Sequence, residues 1–368
     1  MKVLHVFMLC LAAGALVANV SCAKKEAKPF TGATLKVVTI NIWSGLDYKG
    51  TLKMGEYETP EIREGRYQAL LAELKRLSPD VIGLNEANFL PDYVERLAGD
   101  LGYDYIHHVG VSGVRIGRVG LPWNLREGDA ILARKELRLE YAGRKHLGGG
   151  GFVWNWLSFH TEDATQVLLA KMRAGERDVY VAVTHVHASP ADTLETRERL
   201  AELKKKFNYT DEELAAAVAK LERDNNWRRD EIEKLIVFLK EKVPAGAPLI
   251  LMGDFNNEID SPEMRRLIAA GYSDSFRADA KNPGYTWNGL ENSNIRKYYG
   301  KRRNEKHEDI YEHLDEVQVL SGRRIDFILV NEVLGKNASV QSKVCCNTMR
   351  DGLHPSDHYG VFSEIRLK

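Results

Sequence analysis

Several short apolar segments of this 368-residue chain end in an acid, an amide or a histidine. Asn41 follows LKVVTI, Glu86 follows VIGLN, and His185 follows VYVAVT. Later apolar or turn segments carry the same residue types, at His187, Asp254, Asn256, Asp326, Asp357 and His358. Carboxylate and amide oxygens suit Mg²⁺ or Mn²⁺, and histidine suits acid–base catalysis. Any one of them alone suits a helix cap, a turn or a core histidine, but their joint occurrence predicts a catalytic site.

The elements that must position these side chains are short, β-branched and apolar. Seven such runs predict buried strands: 35–40, 81–84, 130–132, 167–170, 179–184, 249–252 and 325–330. Between the first two, Ile62 to Leu77 has leucines at helical spacing and ends before Pro79. Ligand-binding groups in layered sheets lie at strand ends and on the loops that follow. The sequence therefore predicts a layered α/β or α+β domain with the polar residues at one rim.

The segment from Pro190 to Val243 is charged and helical, unlike the rest of the body. Thr210, followed by Asp211, Glu212 and Glu213, resembles a capping box and predicts a second helix starting there. We expect a helical insertion at about 190–243 that packs on the domain. It serves either as scaffolding or as a lid or wall of the substrate site.

The N-terminus predicts export. Lys2 precedes an apolar run from Val3 to Val20, and Cys22 follows Ala18-Asn19-Val20-Ser21, which resembles a bacterial lipoprotein cleavage site. We expect a signal in residues 1–22, a tether in 23–34 and the enzyme domain in 35–368. Lipidation of Cys22 would anchor the protein in the periplasm or cell envelope; the alternatives are cleavage after Ala23 or an uncleaved anchor.

Six segments in order, TINIWSG, LNEAN, THVHAS, MGDFNN, RRIDFIL and PSDHYG, resemble the endonuclease/exonuclease/phosphatase superfamily. That superfamily includes DNase I-like nucleases, neutral sphingomyelinases and tyrosyl-DNA phosphodiesterases. The resemblance runs from Leu35 to Leu367 and is weakest over 190–243. It implies a four-layer α/β/β/α sandwich, an α+β fold, that hydrolyses phosphoesters with Mg²⁺ or Mn²⁺.

The resemblance also implies a role for each residue. The metal ligands are Glu86, with Asn41 and Asp357 beside it. Asp254 activates water and Asn256 holds a phosphoryl oxygen or positions Asp254. His358 contacts the phosphate as general base or transition-state stabiliser, oriented by Asp326.

Either His185 or His187 can serve as the acid that protonates the leaving group. The segment THVHA is similar to THLHA of neutral sphingomyelinases, which favours His185. Trp43 stands where abasic-site nucleases carry an acidic metal contact, and Asn85 stands in place of the usual Gln before Glu86.

The substrate is less constrained than the chemistry. The whole chain has 52 basic and 52 acidic residues, and residues 31–368 have a net charge of −3, so no strong basic field attracts nucleic acid. Three kinds of substrate stay open: a lipid head group, a nucleic acid and another small extracellular phosphodiester. An inactive binding protein of the same fold is the alternative to an enzyme. Tyr285-Thr286-Trp287-Asn288 resembles a tyrosyl-DNA phosphodiesterase segment, and a basic, aromatic run follows it at 296–303.

Two tryptophans, Trp154 and Trp156, are the best apolar candidates near such a cleft. They are predicted either to line the cleft or to pack between the sheets. The chain has no long apolar heptad run, so we expect a monomer.

Overall fold

The fold is taken from a computed structural model, which describes residues 29–45, 58–121, 126–160, 164–279 and 281–367. The predicted signal at 1–22 and Cys22 lie outside these residues. The strands are β1 Thr34–Asn41, β2 Val81–Ala87, β3 Tyr103–Val111, β4 Val114–Ile116, β5 Val119–Leu121, β6 Glu127–Arg134, β7 Glu140–Gly148, β8 Phe152–Val153, β9 Leu157–Phe159, β10 Thr165–Ala174, β11 Arg177–His185, β12 Leu249–Asp254, β13 Ser273–Asp274, β14 Trp287–Asn288, β15 Gly322–Arg323, β16 Asp326–Val330, β17 Ser339–Cys345 and β18 Gly360–Arg366. The helices are α1 Pro60–Leu77, α2 Asp92–Leu101, α3 Leu194–Phe207, α4 Asp211–Lys242, α5 Pro262–Ala269, α6 Ser293–Tyr298 and α7 Ile310–Gln318.

Two six-stranded mixed sheets form the centre of the molecule. Their strand orders are β17-β18-β1-β2-β6-β3 and β13-β16-β12-β11-β10-β7. β1 pairs parallel to β2, and β11 pairs parallel to β12, so polar residues at the ends of each pair reach the same edge. The remaining strands form a two-stranded ribbon and a small four-stranded sheet, β5-β4-β9-β8.

Each central strand buries both of its faces, which explains the near-continuous apolar runs in the sequence. Val37 and Ile131 of the first sheet meet Leu168 and Ile250 of the second in one buried cluster between the sheets. The opposite faces are covered by helices. Residues such as Leu70, Leu74 and Leu97 of α1 and α2 cover the first sheet, and Ile232, Leu235 and Leu267 of α4 and α5 cover the second. The predicted four-layer α/β/β/α sandwich is confirmed.

Capping residues determine where the two predicted helices begin and where the first of them ends. Thr59 caps α1, Pro60 occupies its first turn, and Ser78 ends it in the left-handed conformation before Pro79. The capping box at Thr210 is present, with both reciprocal bonds between Thr210 and Glu213 at the start of α4. The predicted insertion therefore consists of α3 and the 32-residue α4.

The last residues of the predicted tether, 29–34, are among the described residues and contact the folded body. Phe30 packs against the cluster between the sheets, its carbonyl accepts a bond from Gly175 N (2.8 Å), and β1 begins at Thr34. The Phe30 side chain is partly buried there and adds to the cluster between the sheets. Among the described residues, every helix is too short or too polar to span a bilayer.

Candidate active site

One cleft of about 810 Å³ opens at the edge where β1, β2, β11 and β12 end. It is lined by six predicted site residues: Glu86, His185, Asp254, Asn256, Asp357 and His358. The other two, Asn41 and Asp326, are fully buried directly behind it and bond to the lining residues. These eight side chains thus lie around a single site, and His187, the ninth residue predicted from a strand end, lines the same cleft.

Asp254 lies at the centre of this site, at the end of β12. Its backbone NH donates to Asn85 Oδ1 (3.0 Å), and its carboxylate accepts bonds from Asn41 Nδ2 (3.1 Å) and Asn256 N (2.8 Å). Burial raises the pKa of Asp254, and the neighbouring charge of Asp326 adds to this shift. The geometry holds the carboxylate still and makes it a stronger proton acceptor than an ordinary aspartate.

His358 is held by Asp326 on one side and faces Asp254 on the other. Its Nδ1 lies 2.9 Å from Asp326 Oδ2, and its Nε2 lies 3.7 Å from Asp254 Oδ2. Asp326 is itself fixed through its backbone NH, which donates to Thr286 Oγ1 (3.1 Å). Burial lowers the pKa of His358, but the carboxylates of Asp326 and Asp254 outweigh it and raise that pKa to about 10. His358 is therefore an imidazolium at neutral pH.

His185, the register partner of Asp254 on the neighbouring strand β11, reaches the same carboxylate. Its Nε2 lies 3.7 Å from Asp254 Oδ2, 3.9 Å from Glu86 Oε1 and 3.3 Å from Asn256 Nδ2. His187 also lines the cleft, but its ring stacks on Trp227 of α4 with centroids 4.2 Å apart. The structure thus places His185 among the acidic residues and His187 against the helical insertion.

Glu86 turns into the cleft at an irregularity in β2. The pairing of β2 with β6 shifts register between Leu84 and Ala87, and Glu86 has a φ of 54°, uncommon for a residue other than glycine. Its carboxylate accepts bonds from Asn41 Nδ2 (2.7 Å) and Ser44 N (3.2 Å). The bulge therefore directs the side chain of Glu86 to the position where Asn41 and the cleft meet.

Asp357 is the second carboxylate on this side of the cleft. Its oxygens accept bonds from Ser356 Oγ (3.1 Å) and Tyr299 OH (3.4 Å). Burial and the charge of Glu86 raise the pKa of Asp357 to about 7. Two converging carboxylates that repel each other in a buried site form a donor set suited to a hard divalent cation.

A second group of possible metal ligands overlaps the residues that were predicted to activate water and to contact the phosphate. Ligand atoms of Asp254, Asp326 and His358 lie within 4.8 Å of one another. In this group His358 and Asp326 are already bonded to each other, whereas Oδ1 of Asp326 has no hydrogen-bond partner among the described residues. Asn41, predicted to lie near the ion, turns its amide nitrogen toward Glu86 and Asp254, and its Oδ1 accepts from Trp43 N (3.0 Å).

Asn85 was noted in the sequence only as a departure, yet it supports the whole site. Besides accepting from Asp254 N, it donates to Asp129 Oδ1 (2.7 Å) and to the carbonyl of Thr184 (3.0 Å). It therefore ties both sheets together directly beneath the cleft. Burial raises the pKa of Asp129 to about 6. The place of Asn85 directly before Glu86 was the sequence signal that could have identified its supporting role.

The helical insertion forms one wall of the cleft. Lys220, Asp224 and Trp227 of α4 line it, together with Tyr311 of α7, whose hydroxyl donates to Asp224 Oδ2 (2.6 Å). Helix α4 thus does both things expected of the insertion: it covers the second sheet as scaffolding and forms a wall of this cleft. Sequence reasoning missed the contribution of α7, since its pattern carries no catalytic residue type at a distinctive spacing.

The Tyr285–Asn288 segment contributes to the floor of the cleft. The Trp287 ring meets that of His358 edge-on with centroids 5.0 Å apart, and also lies 5.8 Å from that of Tyr299. Trp43 also lines the cleft, and its ring lies 6.4 Å from that of Tyr299, so three aromatic rings line this part of the cleft. Of the basic, aromatic run at 296–303, Tyr299 alone lines the cleft.

Trp154 and Trp156 do neither of the two things predicted for them. They lie in the turn between β8 and β9, outside the cleft lining and outside the core between the sheets, and they are 48% and 61% exposed. Residues 154–156 connect two strands of the small four-stranded sheet, which is separate from the two central sheets that hold the core and the cleft.

Comparison with known proteins agrees with this architecture. The sequence model of the Endonuclease/Exonuclease/phosphatase family matches residues 38–358. The structure is similar to that of TDP2 from D. rerio complexed with a single-strand DNA product, with 16% identity, a TM-score of 0.53 and coverage of 91% of this chain and 100% of that one. A family protein from Bacteroides thetaiotaomicron has 16% identity, a TM-score of 0.53 and coverage of 90% and 97%. One from Leptotrichia buccalis has 17% identity, a TM-score of 0.52 and coverage of 90% and 100%. No curated protein sequence matches significantly.

Proposed function

Because the chain belongs to the endonuclease/exonuclease/phosphatase family, we propose that it is a divalent-metal-dependent hydrolase that cleaves a phosphoester outside the cytoplasm. One observation carries this proposal. Nε2 of His185 and Nε2 of His358 each lie 3.7 Å from the same oxygen of Asp254, in a cleft that also holds Glu86 and Asp357. A proton acceptor, two histidines and a pair of carboxylates in one cleft are the groups that phosphoester hydrolysis needs.

The attacking water is activated by Asp254. Its carboxylate takes one proton from water while the water oxygen bonds to phosphorus and the ester P–O bond breaks. Burial raises the pKa of Asp254, which favours this proton uptake. Asn256, whose amide donates to Val186 O (2.9 Å) and whose NH donates to Asp254, keeps the carboxylate in position.

Glu86 and Asp357 would hold a Mg²⁺ or Mn²⁺ ion, with Asn41 adjacent. When bound, such an ion neutralises phosphate charge and stabilises the transition state. The charge balance of the site supports this assignment, because burial and Glu86 raise the pKa of Asp357 to about 7 in the absence of a cation. The Asp254, Asp326 and His358 group is assigned instead to proton transfer and phosphate binding, since His358 and Asp326 bond to each other.

His358 stabilises charge on the phosphate. Because its pKa is raised to about 10 by Asp326 and Asp254 against the opposing effect of burial, it carries a proton on Nε2 at neutral pH. That N–H donates to a phosphoryl oxygen, so His358 acts as transition-state stabiliser rather than base. Asp326 keeps Nδ1 protonated and the ring oriented.

His185 donates the proton that the leaving oxygen requires. Its position beside Asp254 and Asn256 supports this role, whereas His187 is engaged by Trp227. Over one turnover Asp254 gains a proton and His185 loses one. Proton exchange with solvent then returns both groups to their starting protonation states.

We further propose that the protein is exported and anchored in the cell envelope through Cys22, in which case an extracellular phosphodiester such as a lipid head group is the substrate class. The signal-like sequence at 1–22 supports this. An exported nuclease is the second candidate. It is favoured by the aromatic rings of Trp43, Trp287 and Tyr299 in the cleft, which suit base stacking. The presence of all eight predicted site residues disfavours an inactive binding protein.

The proposed function is tested with bis-p-nitrophenyl phosphate and p-nitrophenyl phosphate in EDTA, Mg²⁺ or Mn²⁺, alongside E86Q. We expect metal-dependent release of p-nitrophenol that E86Q abolishes, and the preferred compound separates diesterase from monoesterase activity. Plasmid DNA and sphingomyelin, assayed side by side with Mg²⁺, separate the two substrate classes. Release in EDTA, or release unchanged in E86Q, would contradict the metal assignment.

A further inference from the structure

The small four-stranded sheet exposes large apolar side chains on its outer face and buries polar side chains on its inner face. Register places Phe152 opposite Phe159, and Ile116 opposite Val119, on its outer face. The opposite face of the same strands carries Arg115 and Ser158, each 1% exposed. The outer apolar side chains are exposed: Ile116 69%, Val119 72%, Phe159 55%, Phe152 40% and Val114 39%. We call this sheet, with its turns at 117–118 and 154–156, the aromatic sheet.

Two turns at one end of the aromatic sheet extend this apolar surface. Gly117 N donates to Trp156 O (2.6 Å), which joins the β4–β5 turn to the β8–β9 turn. The rings of Trp154 and Trp156 lie 6.4 Å apart, and that of Phe152 lies 5.0 Å from Trp154. Four aromatic and three aliphatic side chains thus form one exposed apolar surface, larger than the scattered apolar residues that any soluble protein exposes.

The buried polar face holds this surface in place. The Arg115 guanidinium donates to Trp154 O (2.9 Å) and to the carbonyl of Gly117, and its Nε donates to Ser112 Oγ. Ser158 Oγ donates to Gly113 O (2.9 Å). A buried arginine that bonds to both turns presents their side chains rigidly. Folding alone gives no reason to bury an arginine while leaving two tryptophans outside.

The aromatic sheet is continuous with the catalytic cleft. Val111, at the end of β3, and His160, directly after β9, both line the cleft. The Nε2 atom of His160 accepts bonds from Ser112 N and Gly113 N, both 2.7 Å, at the start of β4. Whatever binds the outer face of the sheet is therefore brought beside the cleft opening.

We propose that the aromatic sheet docks on the surface of a lipid bilayer that contains anionic lipid. Tryptophan and phenylalanine beside aliphatic residues are the side chains that partition into the bilayer interface. The two segments that build the sheet, 112–121 and 149–160, contain Arg115 and Arg118 and no acidic residue, although the chain as a whole has 52 acids. Arg115 is buried behind the sheet, but Arg118 is exposed at the β4–β5 turn. Arg118 shares the carboxylate of Asp92 with Arg126, so these three side chains carry a net charge of +1, which is complementary to an anionic surface.

The proposal stands independently of the proposed function, since it concerns binding and not turnover. It is tested with the full chain and vesicles of phosphatidylcholine and phosphatidylglycerol (3:1), with or without bromine on the acyl chains. Bromine quenches tryptophan fluorescence at short range, so quenching that W154F/W156F removes reports contact of these two rings with lipid. I116S/V119S keeps both reporters and removes apolar area, and V237S/V340S removes similar exposed side chains elsewhere.

We expect bromine-dependent quenching in the wild type and in V237S/V340S. In I116S/V119S, the vesicle affinity that this quenching reports should fall about tenfold or more. All variants should hydrolyse bis-p-nitrophenyl phosphate equally, which confirms that they fold. Vesicle binding without quenching of Trp154 and Trp156 would overturn the proposal, because another segment would then hold the protein. Self-association in the absence of lipid that I116S/V119S abolishes would also overturn it, in favour of an interface between two copies of this chain.

Discussion

Nδ1 of His358 lies 2.9 Å from Oδ2 of Asp326, and both side chains are buried. The bond joins β16 to the loop before β18, so it brings together residues 32 positions apart. It leaves Nε2 of His358 facing the cleft, and Asp326 stabilises the imidazolium. In the proposed mechanism, Asp326 therefore controls the protonation state of His358 without facing the substrate itself.

Replacing Asp326 with Asn should keep the fold and lower kcat for bis-p-nitrophenyl phosphate by about 100-fold or more. The amide keeps the shape but removes the charge that raises the pKa of His358, so the activity should also fall at a lower pH than in the wild type. Steady-state kinetics between about pH 6 and about pH 10 measure both effects, because this range extends up to the raised pKa of His358. A variant with unchanged kcat and pH profile would show that Asp326 plays no part in catalysis.

Substitutions of Glu86 and of Asp326 should have different effects on metal affinity. We expect E86Q to weaken Mg²⁺ or Mn²⁺ affinity by about tenfold or more and D326N to leave it nearly unchanged, because the ion is assigned to Glu86 and Asp357. Isothermal titration calorimetry of the metal-free protein provides the affinities without any assay of turnover. The reverse pattern would place the ion in the Asp254, Asp326 and His358 group.

Metal binding should release a proton from Asp357. Burial and Glu86 raise its pKa to about 7, so at pH 6 most of the carboxyl is protonated and must lose its proton to bind a cation. Apparent affinity should therefore rise with pH up to about 7 and level off above it. Titrations in buffers of different ionisation enthalpy measure the released protons. D357N is the control and should release none at this step; equal release by both proteins would point to another group.

The leaving group distinguishes the two histidines of the THVHA segment. H185A should lose much more activity toward a diester with an alkyl leaving group than toward bis-p-nitrophenyl phosphate, because p-nitrophenolate departs without protonation. H187A should lose equally toward both, since its ring packs on Trp227. The ratio of kcat/KM for the two substrates reports the effect, and a leaving-group dependence confined to H187A would reverse the assignment.

Residue types at strand ends predicted much of this site, and the reason is geometric. Asn41 and Asp254 follow apolar runs whose parallel partners end at the same edge, so their convergence follows from sheet topology. The turn of Glu86 into the cleft depends on a register shift, which no pattern of hydrophobicity encodes. The support from Asn85 depends on contacts 44, 99 and 169 positions away in sequence.

The walls of the cleft and the aromatic sheet were beyond prediction for a related reason. α4 is charged on several sides, so the sequence did not show that Asp224 and Trp227 face the cleft. Trp154 and Trp156 were expected either to line the cleft or to pack between the sheets, because large aromatic side chains are highly buried on average. Their exposure follows from the buried Arg115 behind them, an arrangement visible only in three dimensions.

The most direct measurement is hydrolysis of bis-p-nitrophenyl phosphate by the wild type and by D254N, with saturating Mg²⁺ and with EDTA. Asp254 bonds to Asn41 and Asn256 and lies 3.7 Å from both histidines, so its loss should remove the water-activating step without unfolding the protein. We predict Mg²⁺-dependent turnover in the wild type and a loss of about 1,000-fold or more in D254N, with an unchanged circular dichroism spectrum. Turnover by D254N close to that of the wild type would contradict the central role given to this carboxylate.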